Sequence, residues 1–151
     1  MDLLTFDLGG IRCALPATDV REVVRAVSIL PLPNAPAAVE GVINVRGTLV
    51  PVLDLRRRLD LPARPVALSD HLVLVRAGGR DVAVRVDRAI AVVAAGDECL
   101  EAPDAGLTTA PFISAVGKLV DGLVLVHDLR RFLDASEEAS LEAAAERQQG
   151  T

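Results

Sequence analysis

An internal repeat constrains the fold of this chain more than any other feature. The segment LVPVLDLRRRL at Leu49–Leu59 aligns, at an offset of 74 residues, with LVLVHDLRRFL at Leu123–Leu133, and eight of the eleven positions are identical. The glycine pairs Gly9-Gly10 and Gly78-Gly79 recur in the same order at an offset of 69. Self-similarity of this kind indicates that one structural unit occurs twice along the chain.

The residues of both units are typical of short β-strands joined by tight turns. Apolar residues alternate on either side of each glycine pair, which predicts hairpins at 4–15 and 71–86. A third hairpin is expected around Arg46-Gly47-Thr48. The run Val20–Val24 fits either a strand or a helical turn, and its β-branched residues favour a strand. Because Pro51 lacks an N–H, its strand is expected to lie at a sheet edge or beside a bulge.

These patterns predict an all-β fold of two barrel or sandwich units in a single domain over residues 1–135. The subdomain boundary is expected near residue 65, which gives units of 1–65 and 66–135, with strand exchange between them allowed. Units of about 65 residues bury little surface alone, so we expect a shared apolar seam. Asp54 and Asp128 are the expected N-caps of one helical turn in each unit. Residues 136–151 are expected to form a polar, Ala/Glu-rich C-terminal helix or tail.

The repeat also predicts which side chains form the core. Apolar residues that recur at the offset of 74 are expected to be buried in both units, because the same position of the same fold faces the same interior. These residues are Val50, Val52 and Leu55 in the first unit, with Val124, Val126 and Leu129 in the second.

The charge and aromatic content argue against nucleic-acid binding. The chain carries 21 acidic and 16 basic residues, for a net charge of −5, and its only aromatic residues are three phenylalanines. It therefore has neither an excess of basic residues for a phosphate backbone nor an aromatic platform for stacked bases.

Membrane insertion and export are not expected either. The longest uncharged stretch, residues 26–39, is interrupted by three prolines and is shorter than the roughly 20 apolar residues of a spanning helix. The first residues lack the basic region of a signal peptide. Cys13 and Cys99 are too few for a disulfide framework, and buried reduced thiols fit a cytoplasmic protein.

Residues for catalysis or metal binding are not apparent in the sequence. No serine lies in a Gly-x-Ser-x-Gly elbow, and neither His71 nor His127 has a Cys or His at metal-ligand spacing. We therefore expect no catalytic residue, no metal and no cofactor. A Cys13–His71 or Cys99–His127 dyad in a small cysteine-dependent enzyme stays open as the alternative. The basic run 56–58 could bind an anion, but a solvated helix face is the favoured interpretation.

Two polar features go beyond ordinary strand chemistry. The glycine-bounded segment 41–47 reads GVINVRG, and VPVLDL follows it at 50–55. Glu22 lies between valines that must face apolar surface, so an acid there is either exposed or paired with a nearby base.

These motifs, in this order and spacing, resemble the CheW family of bacterial chemotaxis coupling proteins. The resemblance rests on VREV at 20–23, LPNAP at 32–36, the core Asn-x-Arg-Gly-x-x-Val-Pro-x-x-Asp-Leu at 44–55, and Val86-Asp87, and it continues to 133. It implies two SH3-like, five-stranded β-barrels and a non-enzymatic adaptor. Such an adaptor binds the cytoplasmic tips of methyl-accepting chemoreceptors and the regulatory domain of a CheA-type histidine kinase, and is recruited to membrane-associated receptor arrays. A scaffold of a non-flagellar chemosensory pathway fits the same motifs.

The resemblance also assigns residues. The positions that match the receptor-binding surface or its support are Val20, Glu22, Gly41, Arg46, Gly47, Leu72 and Val92. The positions that match structural motif residues are Asn44, Pro51, Asp54, Asp87 and Asp128. Two positions depart from the family pattern: Cys13 replaces a frequent aromatic, and Arg85 interrupts a strand that is usually more apolar.

Overall fold

The computed structural model describes residues 1–36, 38–103 and 112–132. The expected C-terminal helix at 136–151 lies outside the described residues. Within them the chain forms short strands, two α-helical turns and two 3-10 turns, the latter at Ala17–Asp19 and Asp97–Cys99. The strands and α-helical turns follow in the order β1 (Asp2–Leu8), β2 (Ile11–Pro16), β3 (Val20–Arg25), β4 (Val39–Val45), β5 (Thr48–Leu53), α1 (Leu55–Arg58), β6 (His71–Ala77), β7 (Arg80–Val86), β8 (Arg88–Ala94), β9 (Leu100–Glu101), β10 (Ile113–Leu119), β11 (Gly122–His127) and α2 (Leu129–Phe132). The predicted all-β fold class and its three hairpins are confirmed.

The strands form two sheets that each combine both halves of the sequence. One sheet has the order β3-β6-β7-β5-β4, and the other has the order β8-β1-β2-β11-β10-β9. The hairpin β6–β7 thus joins the strands of the first repeat, and the hairpin β1–β2 joins those of the second. Parallel pairing attaches each hairpin, with Val52 opposite Ala83 in one sheet and Val126 opposite Ala14 in the other. The subdomain boundary near residue 65 stays a prediction, because the sheets cross it.

Each repeat also carries two β-bulges at equivalent positions. The register of β3 skips Arg21, and that of β8 skips Ile90, which is 69 residues further on. The register of β4 skips Glu40, and that of β10 skips Ser114, which is 74 residues further on. These bulges follow the same two offsets as the sequence repeat, so they belong to the architecture of the unit rather than to one copy.

Pro51 lies in an interior strand and next to the β4 bulge, so of the two expected placements the sheet edge was wrong and the position beside a bulge is confirmed. Strand β5 lies between β4 and β7, and Pro51 stands opposite Val42. Val42 directs both its N–H and its carbonyl to Leu30 on its other side, at 2.9 Å each. Pro51 therefore needs no N–H towards β4, and the ladder to β7 begins only at Val52.

The core contains one apolar cluster shared by the sheets and one further cluster in each sheet. The shared cluster combines Phe6 and Leu15 from one sheet with Leu53, Val73 and Val84 from the other. This is the expected seam between the two units. The six residues predicted from the repeat are all buried, with exposed fractions between 0% and 6%: Val50, Val52, Leu55, Val124, Val126 and Leu129.

His127 occupies the shared core without a polar partner. It is fully buried between Phe6 and Phe112, with ring centroids 6.2 and 6.0 Å away, and its two ring nitrogens have no hydrogen-bond partner among the described residues. Burial lowers the pKa of His127 to about 4. The repeat places Leu53 at the equivalent position of the other unit, so the fold itself requires only an apolar side chain there.

A cluster of ion pairs around Asp87 links the two repeats where their strands are exchanged. The Asp87 carboxylate accepts hydrogen bonds from Arg56 at 2.8 and 2.9 Å, from Arg64 at 2.7 Å and from the Gly9 N–H at 2.8 Å. Burial alone would raise the pKa of Asp87, but these hydrogen bonds lower it to about 2. The interpretation of Arg56 as part of a solvated face was wrong, because Arg56 is buried and paired.

Arg85, which interrupts its strand in the sequence, extends this cluster. It is only 7% exposed and forms ion pairs with Asp70 at 3.1 Å and Glu40 at 2.6 Å. Arg64 also donates to Asp70, at 2.6 Å. The loop between α1 and β6 is thereby tied to β4 and β7, which explains how a buried strand tolerates an arginine.

Replacing Asp87 with Asn is expected to lower the free energy of unfolding by about 1–3 kcal/mol, because it leaves Arg56 without a countercharge. The pKa of Asp87 is depressed in the folded state, so its contribution is complete above pH ~4 and is lost as the pH falls towards 2. Urea unfolding at pH 7 measures the change. Asp81→Asn is the matched control on β7, since it breaks an exposed pair with Arg76 and is expected to cost below about 1 kcal/mol. Equal losses in both variants would contradict the assignment.

Replacing His127 with Leu is expected to remove a pH dependence of stability. Since the pKa of His127 is lower in the folded protein, the unfolded chain binds its proton first, and stability falls between pH ~6.5 and ~4 by up to about 3 kcal/mol. The Leu variant should show a shallower decline over that interval, measured by urea unfolding at several pH values. Parallel curves for the variant and the parent protein would show that His127 is not the group responsible.

Candidate functional site

The hairpin between β4 and β5 presents an arginine in a strained conformation. Arg46 and Gly47 form its two-residue turn, with φ angles of +51° and +87°, the left-handed pattern of a type I′ turn. The Asn44 side chain accepts a hydrogen bond from the Gly47 N–H at 2.7 Å and so fixes the turn. The motif Asn-x-Arg-Gly therefore has a local structural basis. A non-glycine residue at positive φ costs energy, and surrounding structure must hold it there.

Glu22 of β3 holds the Arg46 guanidinium. One terminal nitrogen of Arg46 donates to both carboxylate oxygens of Glu22, at 2.8 and 2.9 Å. The Arg46 side chain is 74% exposed and that of Glu22 is 35% exposed. The hydrogen bond and charge of Glu22 raise the pKa of Arg46 above its usual range. Among the described residues a single nitrogen of Arg46 makes this contact, so its other guanidinium donors can meet a partner.

Two further predicted residues lie near this pair along the chain. Val20 begins β3, half-buried and opposite Val75, and Gly47 is exposed in the turn itself. Together with Glu22 and Arg46 they lie on the sheet formed by β3 to β7. The structure thus places these four residues on one sheet, and their role in binding stays a prediction.

Gly41 and Leu72 are interior residues. Leu72 is fully buried in β6. Gly41 is buried in β4, and a Cβ atom added to it would stand 2.2 Å from the carbonyl oxygen of Leu30. These two residues can support a binding surface but cannot form its exposed part.

Val92 lies in the other sheet. Val92 is part of β8, where it stands opposite Leu4 of β1, and it is 63% exposed. A partner that contacts both Val92 and Arg46 must therefore bridge the two sheets.

One residue of this region was not singled out by the sequence. Arg21 and Glu22 are neighbours in β3 and would point to opposite faces of a regular strand. The bulge at Arg21 removes that alternation, and both side chains line the same cleft. The repeated bulge is the signal, but it becomes visible only once the strand register is known.

The open alternative of a cysteine–histidine dyad finds little support in the geometry. Burial raises the pKa of the Cys13 thiol to about 12, which disfavours the reactive thiolate. Nδ1 of His71 accepts a hydrogen bond from the Ala89 N–H at 2.9 Å, and His127 has no hydrogen-bond partner among the described residues. In the part of the chain that the structure describes, no cluster of three or more His, Cys, Asp or Glu side chains could hold a metal ion. A helix with the length and apolarity to cross a membrane is likewise not found within that part.

Comparison with known proteins identifies the family of this fold. A family model described as a CheW-like domain matches residues 2–137. The chain belongs to the CheW family. The chemotaxis protein CheW of Treponema pallidum (strain Nichols) is 26% identical over 141 residues, covering 89% of this chain and 83% of that protein. The CheW of Bacillus subtilis (strain 168) is 26% identical over 140 residues, covering 91% and 90%.

A solved CheW structure has the same architecture. The crystal structure of the scaffolding protein TtCheW from Thermoanaerobacter tengcongensis matches with a TM-score of 0.82 and 28% identity, over 90% of this chain and 94% of that chain. The family resemblance and fold predicted from the sequence are both confirmed.

The two cysteines are expected to differ sharply in reactivity. Iodoacetamide at pH 8 should alkylate the half-buried Cys99 in the folded protein, whereas the buried Cys13 should react only after unfolding in urea. Mass spectrometry of the digested protein measures each site, and Cys99 serves as the internal control. Rapid labelling of Cys13 in the folded protein would instead favour the cysteine-dependent enzyme.

Proposed function

We propose that this protein is a cytoplasmic chemotaxis adaptor, which couples the cytoplasmic tips of chemoreceptors to a CheA-type histidine kinase without catalysis. Membership of the CheW family supports the scaffold role. The observation that carries the receptor contact is Arg46, an exposed arginine held at positive φ by the Asn44–Gly47 contact and by Glu22. Strain of this kind persists where the surrounding structure enforces it, and it is concentrated at functional positions.

The Arg46 turn suits protein recognition because it is rigid before binding. The guanidinium already has its orientation fixed by Glu22, so little side-chain entropy remains to be lost when a partner binds. Its free donors can meet carboxylates or backbone carbonyls at the tip of a helical hairpin. Glu22 thus acts as a positioning residue and Arg46 as the contact residue. Val20, Gly47 and Val92 would extend the receptor surface, with Gly41 and Leu72 supporting it from inside.

The contact with the kinase would depend on the structural similarity between this protein and the kinase's regulatory domain. The regulatory domain of the kinase is homologous to this family, so two similar pairs of sheets would meet in a pseudo-twofold arrangement. Signalling then requires that the adaptor–kinase assembly bind one receptor conformation more tightly than the other, because a partner with equal affinity for both states shifts neither. A rigid adaptor transmits that preference without a conformational change of its own.

Arg46→Ala is expected to weaken receptor binding and kinase activation while the fold is retained. Loss of a charged hydrogen-bonding contact typically lowers affinity by about ten-fold or more. Arg46→Lys should retain only part of the binding, since the lysine ammonium lacks the planar set of donors that a guanidinium presents. Titration of a receptor-tip hairpin against the protein at physiological salt measures affinity, and kinase autophosphorylation measures coupling.

A charge exchange provides the control for the ion pair. If Glu22 and Arg46 act together, the double variant Glu22→Arg with Arg46→Glu should recover more binding than either single reversal. Circular dichroism checks that each variant is folded. If the Arg46→Glu variant binds both the receptor hairpin and the kinase with unchanged affinity, the proposal is wrong.

A further inference from the structure

A cleft in the sheet formed by β3 to β7 combines an apolar floor with a charged rim. Its volume is about 430 Å³, and Val45, Val50, Leu74 and Val82 are among the residues that line it. Val50 and Leu74 are buried in one apolar cluster and Val45 packs against it, so these three residues form a floor that is fixed by the packing of the sheet. The volume falls at the small end of the range for ligand pockets, roughly 300–1,000 Å³, and can accept a large side chain.

Among the described residues, the rim carries two ion pairs and one arginine without an ion pair. Glu22 pairs with Arg46 at 2.8 Å, and Arg76 pairs with Asp81 at 3.1 Å. Arg21, which also lines the cleft, has no ion pair or side-chain hydrogen bond among the described residues. The rim therefore presents one uncompensated positive charge beside the apolar floor.

The fold does not require an arginine at position 21. The same bulge occurs in the other repeat, where Ile90 takes the place of Arg21, so the bulge forms with an uncharged residue. Without the bulge, Arg21 would point away from the face that Glu22 lines. The bulge, which both repeats share, thus directs the side chain at position 21 towards the cleft. The positive charge at that position occurs only in the first repeat.

We propose that this cleft seats one large apolar side chain of a partner protein, with an adjacent carboxylate of the partner paired to Arg21. The inference rests on the proposed adaptor function and specifies the chemistry of the partner segment at the Arg46 turn. Charge complementarity decides the occupant: Glu22 and Asp81 balance the charges of Arg46 and Arg76, so the net positive charge of the rim is that of Arg21, which favours an acid beside it. An apolar segment without an acid would leave this charge beside a desolvated contact.

Three hexapeptides test both parts of the proposal on the full chain. The first is acetyl-Ala-Ala-Glu-Leu-Ala-Ala-amide, the second carries Gln in place of Glu, and the third carries Ser in place of Leu. Methyl resonances of the floor residues Val45, Val50 and Leu74 are followed by NMR during titration to millimolar concentration at low salt. The Glu-Leu peptide should shift them, the Glu-Ser peptide should not, and the Gln-Leu peptide should bind about two- to five-fold more weakly.

Two arginine variants on β3 distinguish a specific effect of the Arg21 charge from a general effect of the protein's net charge. Arg21→Gln should abolish the difference between the Glu-Leu and Gln-Leu peptides, and it should leave the Gln-Leu affinity unchanged. Arg25→Gln, at the end of the same strand and outside the cleft, should preserve the difference. An equal loss in both variants would overturn the role of Arg21, and unshifted floor resonances with the Glu-Leu peptide would overturn the cleft assignment.

A separate titration with a receptor-tip hairpin keeps this inference distinct from the proposed function. Hairpin binding with no effect of the Glu-Leu peptide on the floor resonances would overturn the cleft while the adaptor proposal stands. Peptide binding together with failure of the hairpin would support the cleft and count against the receptor as its partner. Competition between peptide and hairpin, reduced by Arg21→Gln, is the result expected if both hold.

Discussion

Strand pairings between the two repeats hold this molecule together, and the rest of the structure depends on them. The hairpin β6–β7 of the second repeat lies between β3 and β5 of the first, and the hairpin β1–β2 of the first lies between β8 and β11 of the second. Neither repeat can complete its sheet alone, so the two units fold as one body around the shared core. This arrangement answers the size problem of a 65-residue unit, because each unit takes part of its apolar surface from the other.

The ion cluster around Asp87 and Asp70 follows from that exchange. The exchange brings α1, the following loop, β4 and the end of β7 together, and their charged groups meet there beside the Gly9 N–H, which donates to Asp87. Each buried arginine has at least one carboxylate, so the desolvation cost of the charges is offset locally. The sequence pointed to Arg56 as a surface residue and to Arg85 as an anomaly, because their partners lie 31, 45 and 15 residues away. Ion pairs between residues that far apart in the sequence produce no local pattern from which they could be predicted.

Local patterns, by contrast, were readable. The glycine pairs, the alternation of valines and the Asp54 cap describe contacts within a few residues, and the repeat extended them to a correct core list. The sequence indicated that Glu22 is exposed or paired with a base, and the family resemblance assigned Arg46 to the same surface; the contact between the two is a finding of the structure. The sequence could not show which sheet each hairpin joins, nor that the bulges redirect Arg21, because both depend on strand register.

The two repeats share an architecture, yet their polar residues have diverged. At the turn equivalent to Arg46-Gly47, the second repeat has Val120-Asp121 before Gly122, and Asp121 pairs with Arg12 at 3.0 Å. The bulge that carries Arg21 in one copy carries Ile90 in the other, and the bulge that carries Glu40 carries Ser114. Backbone features that both copies keep are those that the fold needs. Side chains that differ at these same points, Arg46 and Arg21 above all, are free of that requirement. Selection for binding can act on them without disturbing the scaffold. The second repeat accordingly has no arginine at the positions equivalent to Arg21 and Arg46, although its strands β6 and β7 complete the cleft.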